Sequence, residues 1–152
     1  MAAQPPSGEP RMFTVEEANA LVPTLQLEFG RLARLRGEIS ALVELLGGPD
    51  EAMALLEEGV SPTPGLESQV EHFRGLVGQI NGVVERVNEL GCLVKDLEMG
   101  LVDFFSMRDD EPIFLCWQFG EPFVAHWHSV DEGFAGRKPL EGVEVEPPEF
   151  LN

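Results

Sequence analysis

Six side chains that could bind a ligand or take part in catalysis are concentrated between residues 101 and 137. They are Asp103, Cys116, Glu121, His126, His128 and Arg137. Carboxylate, thiolate and imidazole groups are the ligands by which proteins hold zinc or iron, and the same groups serve as acids, bases and nucleophiles. The sequence therefore predicts that a site of this protein, of either kind, lies in this stretch.

A metal site is one interpretation of these residues. His126 and His128 are two residues apart on a predicted strand, and alternate side chains of a strand point to the same face. The two imidazoles could share a metal ion, with Asp103 or Cys116 completing the site from a neighbouring strand. A His-x-His pair alone is a weak signal, because it binds nothing in a register where both rings face water. The sequence predicts no cofactor, and zinc or iron is the alternative that these four residues leave open.

Catalytic roles can also be written for two of the residues. Cys116 could be a nucleophile with a histidine as its base, but a cysteine between Leu115 and Trp117 is more typical of a small core residue. Asp103 could be a general base, or it could pair with Arg137, and buried pairs of this kind are more often structural than catalytic. No catalytic residue is assigned, and we expect a protein that is not an enzyme.

Four of the residues are candidates for binding some other small ligand: Asp103, Glu121, His128 and Arg137. The aromatic residues around them are typical of a core, but they could also line a pocket between the sheet and the helices. We expect such a pocket to be rimmed by Glu121, His128 and Arg137.

The elements that position these residues are predicted to be strands. After Gly91 the apolar period changes from that of a helix to two, and β-branched and aromatic residues become frequent. Short turn-forming segments separate the strands, which makes consecutive strands antiparallel neighbours. The sequence predicts an antiparallel β-meander of three to four strands within residues 92–128, with strands at residues 92–95, 101–106, 112–118 and 123–128.

Residues 14–90 predict a long helical hairpin. Thr14 and Glu17 have the spacing of a capping box at the start of the first helix. Apolar residues then recur at alternating steps of three and four in both helices, as in a coiled coil. The first seam is Ala18, Leu21, Leu25, Leu32, Leu35, Ile39, Leu42 and Leu46, and the second is Leu66, Val70, Phe73, Val77, Ile80, Val84 and Val87.

Three features depart from these regular seams. Pro23 should kink the first helix, because proline lacks the amide that a helix interior needs. Glu28 stands at a seam position, where it is either exposed to water or partly buried. Exposure is favoured, because buried glutamates are rare. Gly75, Gly78 and Gly82 lie opposite the second seam, where they either allow another backbone to approach or have no structural role.

The predicted fold is therefore α+β, a long antiparallel helical hairpin followed by a small antiparallel meander. Residues 1–11 are rich in proline, glycine and alanine and are predicted to be disordered. Residues 12–138 form the single predicted α+β domain. Residues 139–152 are an acidic, proline-containing tail, which we expect to be extended and loosely held.

Composition limits the partners and the compartment. With 27 acidic and 10 basic residues the net charge is -17, which repels nucleic acid and anionic membrane surfaces. The N-terminus lacks the pattern of a signal peptide, and no apolar run approaches the roughly 18–20 residues that span a bilayer. Two cysteines without a CxxC pattern are typical of reduced thiols, so we expect a cytoplasmic protein.

Four segments resemble an uncharacterised prokaryotic family, a domain of unknown function. Their patterns are FTxEEAN from Phe13, KDxxxGLVDF from Lys95, LCWxxGE from Leu115 and WHxxxxGFAGR from Trp127, with the last ending at Arg137. The resemblance extends over residues 12–139. Phe105 stands where that family often has proline, and Lys138 where it often has glutamine. The resemblance implies a small soluble bacterial or archaeal protein and carries no activity with it.

Taken together, the long seams, the glycine-lined helix face and the acidic surface predict a non-enzymatic interaction or assembly module. Its partner would be another protein or a second copy of the chain, bound through the helix faces. The alternative is a small metal- or ligand-binding protein that uses the polar residues of the meander.

Overall fold

Three α-helices precede an antiparallel sheet in a computed structural model that describes residues 11–57, 59–61 and 64–140. The elements are α1 (Val15–Leu45), α2 (Pro49–Ala54), α3 (Glu67–Glu89), β1 (Leu93–Asp96), β2 (Leu101–Arg108), β3 (Glu111–Gln118), β4 (His126–Ser129) and β5 (Lys138–Pro139). A 3₁₀ turn at Phe134–Gly136 precedes β5. The predicted α+β class is confirmed.

The chain divides into two compact units. The first contains the described parts of Met1–Phe29 and Glu85–Asn152, and the second is Gly30–Val84. The hairpin arrangement of the helices and the single domain over residues 12–138 stay predictions. The predicted disordered N-terminus lies outside the described residues except for Arg11, and the predicted tail lies outside them beyond residue 140.

The start of α1 is the predicted capping box. The backbone amide of Glu17 donates to Thr14 Oγ1 at 3.0 Å, and the amide of Thr14 donates to Glu17 Oε1, also at 3.0 Å. Two amides that the helix itself leaves without acceptors are satisfied in this way. The helix continues through Pro23 to Leu45.

The residue before this cap ties α1 to the sheet. The Phe13 amide donates to the carbonyl of Phe105 at 2.8 Å, and the Phe13 carbonyl accepts a hydrogen bond from the Ser106 hydroxyl at 2.6 Å. The Phe13 ring meets the edge of the Phe104 ring with 5.1 Å between centroids. The first turn of α1 is thus fixed against β2 by both backbone and side chain.

The sheet is a meander of five antiparallel strands in the order β1-β2-β3-β4-β5. Strands β2 and β3 are joined by a two-residue turn in which Asp109 and Asp110 have φ values of 51° and 67°, as a type I′ hairpin requires. On one face of the sheet the fully buried Trp117 of β3 packs on Phe29 of α1, with 6.1 Å between ring centroids.

The predicted strand count of three to four is too low. The fifth strand is Lys138–Pro139, which pairs with Trp127 and His126 of β4. Two residues, one of them a proline, carry no periodic pattern, so the sequence indicates a tail at Pro139. The last long strand also begins later than predicted, at His126, because the Val124 amide donates instead to the side chain of Asn19 at 2.7 Å.

Glu28 is buried, which corrects the favoured interpretation that it is exposed to water. The residue is 8% exposed, and its carboxylate accepts two hydrogen bonds from Arg86, at 2.9 and 3.0 Å. Arg86 lies 58 residues further along the chain. The Glu28 hydrogen bond raises the pKa of Arg86 despite the opposing effect of desolvation. A bidentate pair of this kind compensates a carboxylate for the water that it loses.

The second unit has its own apolar core. Its buried residues are Leu46, directly after α1, Ala52 and Leu55 at α2, and Val70 and Phe73 of α3. Partly buried residues of α1, among them Ile39 and Leu42, pack against this cluster. The loop after α2 is held by Arg74, whose guanidinium donates to the carbonyls of Leu55 and Val60 at 2.8 and 3.0 Å. The helices of this unit thus pack partly through the predicted seam residues.

Gly100 and Gly120 provide a matched pair for testing the turns around the sheet. Both have positive φ, 70° and 102°, where alanine costs about 1–2 kcal/mol. A Cβ on Gly100 would in addition lie 2.5 Å from Phe119 Cβ, whereas a Cβ on Gly120 would meet nothing within 4 Å. We expect Gly100→Ala to lower the free energy of unfolding clearly more than Gly120→Ala in denaturant titrations. Equal losses for the two variants would contradict the close packing at Gly100.

Candidate metal centre

The register of the central strands places four of the six candidate residues on one face of the sheet. Asp103 of β2 is the Cα partner of Cys116 of β3, and Cys116 is the partner of His126 of β4. His128 lies two residues beyond His126, so its side chain shares this face. The contacts that α1 makes through Phe29 are on the opposite face.

Three of these side chains form a buried cluster. Asp103, Cys116 and His128 each offer one potential ligand atom, and the three atoms lie within 4.8 Å of one another. The residues are 2%, 0% and 3% exposed. Among the described residues this is the one group of three or more potential metal ligands. The cluster is therefore both compact and isolated from water.

The two hydrogen bonds of His128 define its protonation. Nδ1 lies 2.8 Å from the carbonyl oxygen of Ser129, which can only accept, so Nδ1 carries a proton. Nε2 lies 3.0 Å from Asp103 Oδ2, and one proton shared by these two atoms completes the second hydrogen bond. Nε2 thus points into the cluster, and its orientation is fixed from the other side of the ring.

Cys116 is a protonated thiol in this environment. Burial, followed by the neighbouring Asp103 carboxylate, raises the pKa of the Cys116 thiol to about 12. A thiolate is the nucleophilic form, so a thiol with this pKa is unreactive near neutral pH. The geometry therefore opposes the interpretation of Cys116 as a catalytic nucleophile.

The other candidates form a polar group beside the cluster. Arg137 Nη2 donates to Glu121 Oε1 at 2.8 Å and to the carbonyl of Cys116 at 3.2 Å. Glu121 Oε1 also accepts the amide of Gln118 at 2.7 Å. Desolvation by itself would lower the pKa of Arg137, but Glu121 and Cys116 together raise this pKa above its ordinary value. This pair ties the 3₁₀ turn to the end of β3.

His126 forms no hydrogen bond through Nδ1 to the cluster of Asp103, Cys116 and His128 or to the pair of Glu121 and Arg137. Its Nδ1 lies 3.8 Å from Glu121 Oε2, which is beyond hydrogen-bond distance. The side chain is 32% exposed, yet the Nδ1 atom itself is buried. The six residues that the sequence singles out thus all lie at this side of the sheet, and His126 is the least constrained of them.

Buried polar atoms without hydrogen bonds are concentrated here. Among the described residues, Asp103 Oδ1, His126 Nδ1 and Arg137 Nε are three of five such side-chain atoms. A buried polar atom that lacks a partner costs free energy, and a bound ion or water commonly supplies the missing partner. Three of the six candidate residues thus each contain a buried polar atom that lacks a hydrogen bond.

Two contacts of His128 could not be predicted from the sequence. The Ser129 carbonyl orients His128, and any residue could supply a carbonyl. The Phe114 ring packs against the His128 ring with 5.6 Å between centroids, and the sequence marks Phe114 only as an apolar strand residue. The register alone identifies this contact, since Phe114 is the Cα partner of His128.

A cleft of about 450 Å³ lies elsewhere in the first unit, beside the buried Glu28. It is lined by Thr24, Glu28, Arg86, Glu89 and Leu90. None of the three residues expected to rim a pocket lines this cleft.

Comparisons with known proteins identify a family and no function. A sequence model of the DUF2203 family, described as an uncharacterized conserved protein, matches residues 11–140. Neither a curated protein nor a solved structure matches the chain. The prediction of a family without an assigned function is confirmed. No described helix is both long enough and apolar enough to cross a bilayer.

The raised pKa of Cys116 predicts its reactivity in metal-free protein. We expect iodoacetamide to label Cys116 far more slowly than a free cysteine at pH 8. The rate should rise about tenfold per pH unit from pH 7 to 10 without a plateau, because the thiolate fraction rises in that way below a pKa of about 12. Mass spectrometry of tryptic peptides measures the rate. Rapid labelling of Cys116 with a plateau near pH 8 would contradict the burial of its thiol.

Proposed function

We propose a function for this chain, which belongs to the DUF2203 family, from the geometry of its sheet: it binds one divalent metal ion through Asp103, Cys116 and His128. The observation that carries the proposal is the buried cluster of three ligand atoms within 4.8 Å of one another. The ion is one of the zinc class, and the protein is a metal-binding protein rather than an enzyme with a thiol nucleophile.

The spacing of the cluster supports an ion of this size. Tetrahedral zinc with bonds of about 2.0–2.3 Å holds its ligand atoms about 3.3–3.8 Å apart. The Asp103 and His128 atoms are 3.0 Å apart, and the whole group lies within 4.8 Å. Side-chain movements of about 1 Å would therefore create the coordination geometry without a change in strand register.

The charges support the same ion. A dication bound to a carboxylate, a thiolate and a neutral imidazole is electrically neutral, which a buried site requires. The ion would replace the proton between Asp103 and His128 and the proton of the Cys116 thiol. Binding should therefore release protons, and metal coordination would stabilise a thiolate that burial alone disfavours.

The surroundings of His128 support a ligand role. Metal-binding histidines commonly donate their second ring N–H to a backbone carbonyl or a carboxylate, which fixes the ring and its tautomer. The bond from Nδ1 to the Ser129 carbonyl has this form and leaves Nε2 directed at Asp103. The ring is thus oriented as a ligand before any ion binds.

The donor set favours zinc over the alternatives. Magnesium and calcium prefer oxygen ligands only, so Cys116 argues against both. Iron(II) also accepts carboxylate, imidazole and thiolate and is the second choice. Copper would compete in affinity, but the mixed set of oxygen, nitrogen and sulfur in a compact cluster is typical of zinc.

The metal content of purified protein tests this function. We expect about one equivalent of zinc in full-length protein prepared without a histidine tag, measured by elemental analysis. Cys116→Ser should lose the zinc. Cys92→Ser is the matched control, because Cys92 is also buried in the first unit, and its thiol donates to the Val87 carbonyl at 3.4 Å, away from the cluster. It should retain the metal.

Thermal unfolding gives a second measurement on the same variants. Zinc at about 100 times its dissociation constant should stabilise the apo protein by about 2.7 kcal/mol and raise its melting temperature. Cys116→Ser should show little of this increase. Two results together would contradict the proposal: zinc far below one equivalent in the wild type, and no change of the melting temperature on addition of zinc or iron. The cluster would then be a structural hydrogen-bonded pair of Asp103 and His128.

A second candidate function is association through the helices of the second unit. Gly75 and Gly78 of α3 have open space beside them, since a Cβ on either would meet nothing within 4 Å. Large apolar side chains are also exposed in this unit, among them Leu45 at 54% and Met53 at 64%. Exposed apolar surface and open glycines are both typical of surfaces where another protein docks. This observation supports the predicted interaction module, with a second copy or another protein as partner.

Light scattering and alanine substitution test this second candidate. Glycine in an exposed helix interior costs about 1 kcal/mol relative to alanine, so Gly75→Ala and Gly78→Ala should stabilise an isolated helix. If the glycines form an interface, we expect a dimer in the wild type and weaker association in both variants. A wild-type monomer at every concentration, with a higher melting temperature in both variants, would show that the glycines face solvent.

A further inference from the structure

We infer that His126 is the fourth protein ligand of the metal bound by Asp103, Cys116 and His128, so that the site is closed and structural. This inference rests on the proposed metal-binding function and adds to it the coordination number. A closed site holds four protein ligands, whereas a catalytic zinc site keeps one position for water or substrate.

The strand register brings His126 beside the cluster. Asp103, Cys116 and His126 are consecutive Cα partners across β2, β3 and β4, and neighbouring positions in such a row have Cβ atoms about 4.5–5.5 Å apart. His128 occupies the next position of β4 on the same face. Four candidate ligand side chains thus lie on one face of the sheet, two from β4 and one each from β2 and β3.

The state of the His126 ring supports the same role. Its Nδ1 is buried and has no hydrogen-bond partner, although the side chain as a whole is 32% exposed. Nδ1 is therefore a buried nitrogen of a ring that is otherwise partly exposed to water. Coordination through Nδ1 would give this atom the partner that it lacks and would leave Nε2–H to solvent.

The inference requires the His126 ring to move when the ion binds. His126 is outside the group of atoms within 4.8 Å, so its ring must turn toward Cys116 when the ion binds. Its Nδ1 lies 3.8 Å from Glu121 Oε2, and no hydrogen bond holds the ring there. Glu121 remains satisfied after the movement, because Arg137 and the Gln118 amide both donate to its Oε1.

Cobalt(II) replaces zinc in such sites and makes the coordination visible. We expect the wild-type protein with one equivalent of cobalt(II) to show a thiolate-to-cobalt charge-transfer band and the intense visible bands of a four-coordinate ion. Azide should leave this spectrum unchanged, because a closed site has no exchangeable position. His126→Gln should weaken the visible bands and make them sensitive to azide. It should also lower the affinity for cobalt(II) more than about 100-fold, because about 100-fold is the upper end of the loss when a residue that only supports a ligand is replaced.

His72→Gln is the matched control, since His72 is the remaining histidine of the chain and its side chain is 57% exposed on α3. It should match the wild type in spectrum and affinity. An azide-sensitive wild-type spectrum, or a His126→Gln spectrum identical to that of the wild type, would overturn the four-ligand site while metal binding stands. Absence of the charge-transfer band in the wild type would overturn both. The azide titration needs no variant, so it decides the question even if His126→Gln fails to fold.

Discussion

A carboxylate buried near the centre of a sheet is the constraint on which the first unit depends. Asp103 is 2% exposed, and an ionised carboxylate without compensation in such a place is strongly unfavourable. The compensation is a hydrogen bond to His128, which in turn needs a carbonyl on its far side to fix its ring. Strands β2 and β4 are therefore linked by side chains across β3, in addition to their backbone ladders.

The same constraint explains why the neighbouring polar residues lie where they do. Glu121 and Arg137 pair with each other and with backbone groups at the end of β3, so these two charges satisfy each other inside the unit. Asp103 Oδ1 is the part that no protein group satisfies. The proposed metal ion would give this atom the partner that it lacks, beside the Cys116 thiol and the His128 imidazole.

Local patterns in the sequence predict the helices and most strands, but they do not predict which distant residues pair with each other. The capping box at Thr14 and the strands around Val102 and Leu115 follow from neighbouring residues, and both are present. Glu28 stands at a seam position, but the rarity of buried glutamates favours its exposure to water. Nothing near Glu28 indicates its partner, because Arg86 is 58 residues away. The strand Lys138–Pro139 is not predicted, because it is a strand only through its pairing with β4 and its composition does not indicate one.

The candidate site shows the same division. Asp103, His126 and His128 stand out by type, since carboxylates and imidazoles are uncommon on apolar strands. Cys116 is equally typical of a core, and Glu121 and Arg137 lie outside the strands. Which of them converge depends on register, and a shift of one residue would send Asp103 to the opposite face of the sheet. Asp103 has Cys116 and His128 as neighbours, rather than Glu121, because of the strand register, which residue types alone do not indicate.

The hydrogen bonds between Phe13 and β2 have a consequence for the order of folding during synthesis. The second unit is one continuous segment, Gly30–Val84, and can fold as soon as it leaves the ribosome. The first unit joins distant parts of the chain, because Phe13 and Ser106 are 93 residues apart. Its N-terminal part must therefore wait, with Phe13 unprotected, until the strands are translated. During this interval the apolar surface of the N-terminal helix has no sheet to cover it.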